Sequence, residues 1–357
     1  MGIKRGMDGL LIIDKPEGMT SLDVVREIKR RFGVKKAGHI GTLDPFATGV
    51  LPIGINEGTK LVPFLGEGPK EYEVALRLGE ETSTDDWTGK VVMKGPWEGI
   101  QPEKIEALIH TFLGKIHQIP PMFSAIKIQG KPLYRFARKG IEIERKEREV
   151  EIYKIQLKKI DLPLVYFQIS CSKGTYIRSL GRDIGRKIGC GGHLRHLRRI
   201  RSGPFTLEQA ISWEKFKDFF RPDHLSPWMI SLKDALPSFP ELIGDEQLIR
   251  KVRCGKEMMV RDLSPQTLPT FERGEWVKMS SPKEGLVAIL KSELKRADIS
   301  WAHPEEVALR PLRIFSPSPP PSPRGGEGKV EGEDHVSCKG GFHDTCSGEE
   351  KRDHRPV

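Results

Sequence analysis

Residues 37–52 read AGHIGTLDPFATGVLP, and neither a helical nor a strand period fits them. Gly38, Gly41 and Gly49 permit positive φ or close backbone approach. Pro45 fixes its own φ and biases Asp44 away from the α region. One carboxylate, Asp44, is thus presented on a loop of restricted geometry, with one imidazole, His39, shortly before it. An Asx turn would account for Asp-Pro alone, so the flanking chain has to say what the carboxylate is for.

Upstream, GLLIIDKP over residues 9–16 is a short continuous apolar run ended by a turn, read as a buried strand that delivers Lys15 to a loop. Thr20 or Ser21 then caps a helix whose apolar positions Leu22, Val25, Ile28 and Phe32 keep a 3.6 period, with Gly33 as its stop. Its outer side carries Arg26, Lys29, Arg30 and Arg31, with Lys35 and Lys36 following, a solvated face or a phosphate-facing one.

Downstream, residues 49–55 read as a strand with Pro52 at an edge or bulge, followed by Lys60. KEYEVALRLG alternates, Tyr72, Val74, Leu76 and Leu78 on one face and Glu73, Ala75 and Arg77 on the other. The turn TSTDDWTG brings Asp86. A helix opening at Pro102 turns Ile105, Leu108, Ile109 and Phe112 inward, with Gly114 as its stop. From Pro120 onward, Lys127, Lys131, Arg135, Arg138 and Lys139 interleave with Phe123, Tyr134 and Phe136, offering phosphate contacts and stacking surfaces together.

Residues 150–157 and 164–171 read as strands joined at Asp161 and Pro163. In the helix that follows, Ile177, Leu180, Ile184 and Ile188 form one stripe and Arg178, Arg182 and Arg186 another. Three arginines on one face repel one another, so carboxylate or phosphate is expected beside them. GCGGHLRHLRRIRSG over residues 189–203, with Arg198 near its centre, is read as a basic loop against a polyanion, anchored by Leu194 and Leu197. GEWVKMS, EGLVAILKS and VALRPLRIF then read as short strands, and the Pro- and Gly-rich remainder reads as disordered.

Lys plus Arg number 59 against 49 Asp plus Glu, a net charge of +10, which favours a polyanionic partner. No apolar run approaches the roughly 20 residues of a membrane span, and no signal peptide is evident. The five cysteines are widely spaced without a C-x-x-C pair, which argues against a disulfide framework or structural zinc. A cytoplasmic monomer without cofactor, metal, membrane contact or obligate protein partner is expected.

DKPEGMTS, GHIGTLDPFATGVLPI, SKGTYIR and GGHLRHLRRIRSGPF, in that order, resemble the motifs of the TruB family of tRNA pseudouridine synthases. The resemblance implies an α/β fold with a mixed, largely antiparallel central sheet flanked by helices. It implies a catalytic domain over residues 1–229, a small β-barrel RNA-binding module of the PUA type over residues 230–315, and a tail over residues 316–357 outside the family pattern. By the same resemblance Asp44 is the catalytic carboxylate, Arg178 its partner and Tyr72 the ring against the target base. Tyr176 and Asp86 flank the site, and residues 120–140 form an RNA clamp. His39, Lys15, Lys60, Lys127 and Arg198 are the remaining expected RNA contacts.

The implied reaction is isomerisation of uridine in the T loop of tRNA, position 55, on a base turned out of its stack. It needs an ionised carboxylate as nucleophile. Burial alone would favour the neutral acid, so an opposite charge must hold it ionised, and Arg178 is that charge. The other readings are a non-catalytic RNA-binding protein or RNA-folding chaperone, and a nucleoside or glycoside hydrolase with a carboxylate nucleophile.

Overall fold

The first apolar run forms strand β1 (Gly9–Lys15), buried everywhere except at Asp14. In this computed structural model, which describes residues 7–128 and 130–316, the reason is that β1 has core on both faces. Leu11 and Ile13 join the helix-side core, while Leu10 and Ile12 join a second core. A strand covered on both faces reads as a continuous apolar run, without alternation.

Helix α1 (Ser21–Phe32) begins with a reciprocal cap. Thr20 Oγ1 accepts from the Asp23 amide at 3.1 Å, and Asp23 accepts from the Thr20 amide at 3.0 Å. Gly33, in the left-handed region at φ 62°, ends it. Its inward stripe is Ser21, Val24, Val25, Ile28 and Phe32, so Leu22 is misplaced by the sequence reading and lies 48% exposed. The helix is turned so that Ser21 faces in, where its hydroxyl bonds Leu43. Thr20→Ala is expected to cost about 1 kcal/mol, measured as the shift in a urea unfolding curve.

Strands β2 (Thr48–Ile55) and β3 (Lys70–Leu78) follow, then helix α2 (Pro102–His110) and strands β4 (Gly114–Gln118), β5 (Arg148–Asp161) and β6 (Leu164–Cys171). Helix α3 (Ile177–Ile188) leads into β7 (Gly192–Ser202) and the short β8 (Ile211–Ser212). The sheet runs β8-β1-β2-β7-β3-β6-β5-β4. Only β8 with β1 and β2 with β7 pair parallel along it, so the sheet is mixed and largely antiparallel, flanked by helices, as expected. Tyr72, Val74, Leu76 and Leu78 of β3 all enter the core with the apolar stripe of α3, as their spacing requires.

Two expectations need correction. Residues 189–203 are not a loop, because 192–202 form β7, which sits in the middle of the sheet. Arg195 and Ile200 have no partner residue on β3, so two bulges interrupt the alternation that would mark a strand. Pro52 does not lie on an edge strand, since it pairs with Ile12 of β1 inside the sheet. Its place is tolerated because the far side of β2 changes partner there, from β7 at residues 48–49 to a short strand, Ala37–His39, at residues 53–55.

The C-terminal sheet contains β9 (Glu241–Ile243), β10 (Met258–Met259), β11 (Trp276–Ser281), β12 (Gly285–Ser292) and β13 (Val307–Ile314), in the order β9-β11-β12-β13-β10, with helix α4 (Glu246–Arg253) between the first two. It encloses its own core, including Val277, Met279 and Leu309. Leu286, Ile289 and Phe315 also complete the second core under β1 and β2, where the Phe64 ring meets Trp276 edge-on at 5.0 Å. Ile230 exchanges backbone hydrogen bonds with Leu10 of β1. Among the described residues no helix is long and apolar enough to cross a membrane. The expected tail lies, beyond Ser316, outside the described residues.

Candidate active site

The backbone of Asp44 is held through the residues on both sides of it. Leu43 exchanges hydrogen bonds with the Ser21 hydroxyl, donating its amide at 2.8 Å and accepting at 3.1 Å. The Pro45 carbonyl accepts from Lys15 Nζ at 3.2 Å and from the Gly18 amide at 2.8 Å. Ala47 donates its amide to the Asp44 carbonyl at 3.1 Å. Asp44 thereby has little backbone freedom left.

The side chain meets Arg178, 134 residues later. Nε donates to Oδ2 and Nη2 to Oδ1, both at 2.8 Å, a parallel fork. Arg178 also donates to the Phe123 carbonyl at 2.8 Å and, through Nη1, to the Thr84 carbonyl at 2.9 Å. One guanidinium thus joins the Asp44 loop, the turn before Asp86 and the start of the basic–aromatic segment. Arg178 is 3% exposed while Asp44 keeps 32%, so the charge is anchored in the interior with one end open to a ligand. Burial opposes the guanidinium charge, yet Asp44, Asp86 and Asp85 outweigh it and raise the Arg178 pKa.

The neighbouring arginines of α3 find carboxylates, as their mutual repulsion demands. Arg182 bonds Asp85 at 3.1 Å, and Arg186 grips Glu81 through two bonds of 2.7 Å. Both acids belong to the segment that carries Asp86. Asp86 itself accepts from Thr84 Oγ1 at 2.8 Å and the Thr88 amide at 3.0 Å, and lies 3.9 Å from Arg178 Nε. Tyr176 caps α3, its amide donating to Gln118 Oε1 at 3.1 Å and its carbonyl accepting from Gln118 Nε2 at 3.3 Å. Burial pushes the Tyr176 phenol upward. It pushes Tyr72, 9% exposed on β3, to about 12, so that phenol stays protonated.

Arg178 therefore joins Asp44 directly and lies beside Asp86, with Tyr72 and Tyr176 close enough to feel the Asp44 charge, whereas several expected RNA contacts are placed otherwise. Lys15 is fully buried and donates to the Pro16, Met19 and Pro45 carbonyls, which makes it a brace that no RNA can reach. Lys60 is engaged by Glu57 at 2.6 Å and by the Ile314 carbonyl at 2.9 Å, at the seam with the C-terminal sheet. Arg198 is turned to Asp14, with bonds of 2.6 and 3.1 Å. Lys127 is exposed on a small hairpin shortly after the Phe123 anchor. His39 is partly buried, its ring pulled toward the neutral form by burial and by Arg199, and its Nδ1 has no partner among the described residues.

The sequence reading missed Arg199. Adjacent residues of a strand face opposite sides, so where Arg198 turns to Asp14, Arg199 turns inward and is 1% exposed. Strict alternation in LRRIR would have flagged one of the pair as buried, but the bulges hide which. The role of Gln118, a polar residue that carries no motif, was missed as well, and Ser21, which ends the DKPEGMTS motif, was read only as a possible helix cap.

Comparison with known proteins shows the family. The profile of the TruB family pseudouridylate synthase N-terminal domain matches residues 29–177, and that of the tRNA pseudouridylate synthase B C-terminal domain matches residues 178–234. The chain is 49% identical to the tRNA pseudouridine synthase B of Geobacter sulfurreducens over 87% of its length and all of that protein. It is 41% identical to that of Syntrophus aciditrophicus, over 87% of this chain and 99% of the relative. Among solved structures it superposes on a Cbf5-Nop10-Gar1 complex chain with TM-score 0.68 and 27% identity, covering 89% of this chain and 88% of the other. In sequence along most of its length, and in fold, this chain belongs to the TruB family of pseudouridylate synthases.

Proposed function

We propose that the protein converts uridine to pseudouridine in tRNA, at position 55 of the T loop, with Asp44 as nucleophile. The observation that carries this reading is the Asp44–Arg178 fork, a carboxylate fixed by a buried guanidinium and still open on one side. The N1–C1′ bond of the uridine breaks, the uracil turns, and a C5–C1′ bond forms. The C5 hydrogen leaves as a proton and N1 regains one, so the mass of the RNA is unchanged. Asp44 acts as nucleophile either at C1′ or at C6.

The target base must leave its stack, at a cost of a few kcal/mol. A uracil seated over Tyr72 would offset part of that cost. The basic–aromatic segment over residues 120–140 is suited to clamp the RNA, and the residues from 230 to 315 supply a second RNA-binding module of the PUA type. The excess of 59 basic over 49 acidic side chains serves affinity for phosphates. With tRNA as substrate, the protein acts as a cytoplasmic monomer.

The test is incubation of the purified protein with unmodified tRNA, followed by mapping of carbodiimide-modified pseudouridine. A single conversion in the T loop without free uracil is expected. Released uracil would point to a hydrolase, and an unchanged tRNA to a binder.

A pH dependence follows from Lys15. Burial pulls its ammonium down to about 8, with Asp44 opposing and Arg199 assisting. Loss of that proton removes a donor from the carbonyls around Asp44, so turnover is expected to fall above pH 8. Lys15→Met should lower the plateau and abolish this limb. Lys70, also lowered to about 8 by burial, bonds the Gly66 and Gly68 carbonyls, away from Asp44, so Lys70→Met should retain the limb. For stability the sign is opposite. The folded value lies below the ordinary 10.5, so the charged Lys15 opposes folding below pH 8, and that cost is relieved as pH rises toward 10.5.

A further inference from the structure

Arg199 is buried without a counter-ion. Among the described residues it pairs with no carboxylate; its donors reach backbone carbonyls, Nε to Val50 at 2.8 Å, Nη2 to Gly41 at 3.0 Å and Nη1 to Thr42 at 3.5 Å, and its guanidinium also lies beside the Tyr72 hydroxyl. Gly41 and Thr42 precede Asp44 and Val50 follows it, so one rigid fork spans the loop from inside. The Val50 carbonyl lies in the gap where β2 has lost β7 and not yet met the strand at residues 37–39. Arg199 supplies the donor that the ladder lacks there. Its backbone is also tight against the loop, since a Cβ on Gly49, at φ +104°, would lie 2.1 Å from the Arg199 carbonyl oxygen. Across the ladder its register partner is Tyr72.

An unpaired buried charge is costly, and chains tolerate such local conflicts chiefly where function requires them. A leucine or methionine would fill the space but could not reach three carbonyls at fixed angles. We propose that Arg199 is a positioning residue, which sets the Asp44 loop at its reacting distance from a base lying over Tyr72, without touching RNA itself. The proposal rests on the activity proposed above. Because Arg199 is sealed from solvent, its loss should act on the rate and not on tRNA affinity.

The experiment compares wild type, Arg199→Lys and Arg199→Met. It reads single-turnover pseudouridine formation at saturating tRNA, the tRNA dissociation constant, and hydrogen exchange of the amides over residues 40–49. Displacement of a reacting group by about 1 Å can lower a rate about a hundredfold, and that loss is expected in Arg199→Met, with affinity within about threefold of wild type and faster exchange in the loop. Arg199→Lys, which keeps the charge but not the fork, should lose about tenfold. If the methionine variant does not fold, the lysine variant carries the test. A rate within about threefold of wild type in either tRNA-binding variant would overturn the proposal, as would a loss confined to affinity. If wild type forms no pseudouridine, the functional reading fails, and the exchange data still show whether Arg199 braces the loop.

Discussion

Asp44→Asn is expected to lower pseudouridine formation at least about ten-thousandfold, the scale seen when a nucleophile is removed, with tRNA affinity within about threefold. The substitution keeps shape and removes charge. The amide oxygen of the variant side chain can still accept from one nitrogen of Arg178, so the loop should stay close to its place, held by Ser21 on Leu43 and Lys15 on Pro45. It offers no anionic oxygen to the substrate. Single-turnover assays with excess enzyme, beside filter binding of the same tRNA, separate the two quantities. Turnover near the wild-type rate would remove Asp44 from the chemistry altogether.

Arg178→Lys comes next, with an expected loss of about a hundredfold to a thousandfold in rate. The guanidinium makes four hydrogen bonds in one plane, two to Asp44 and one each to Thr84 and Phe123. A lysine carries the charge on one atom and cannot reach both Asp44 oxygens and two carbonyls on opposite sides. At least one buried carbonyl is left without a donor, which costs about 1–3 kcal/mol. The variant should therefore be slower and less stable, the second measured by urea unfolding. A variant that loses stability but turns over like wild type would make Arg178 a structural tie only.

How much of this was legible in the sequence depends on the element. α1, β1 and β3 were, because cap, apolar run and alternation each leave a local trace at Thr20, at residues 10–13 and at residues 72–78. The carboxylates beside the α3 arginines could be anticipated from repulsion alone, though not which acids would answer. The Asp44–Arg178 pairing came from motif resemblance, since nothing in the spacing of two residues 134 positions apart fixes a contact. β7 was missed because its alternation is interrupted twice, which also hides that Arg199, and not Arg198, turns inward. Nothing local distinguishes Lys15 and Lys60 from solvated lysines open to RNA. Here backbone carbonyls enclose the first and a glutamate captures the second, both tertiary facts.

The bulges at Arg195 and Ile200 bear on how this protein can vary. Deleting either residue would leave every other residue of β7 opposite its present partner, because the β3 partners run from Leu78 to Lys70 without a gap, whereas deleting a paired residue between the bulges would slide one flank by a position and exchange inside for outside. Sliding residues 196–199 would send Arg198 under the loop and expel Arg199 to solvent. Length change among the paired residues of this strand is thus coupled to inversion of a charge pair, and losses should be accepted at the two bulges and in the exposed hairpin after Phe123 long before they are accepted at residues 196–199.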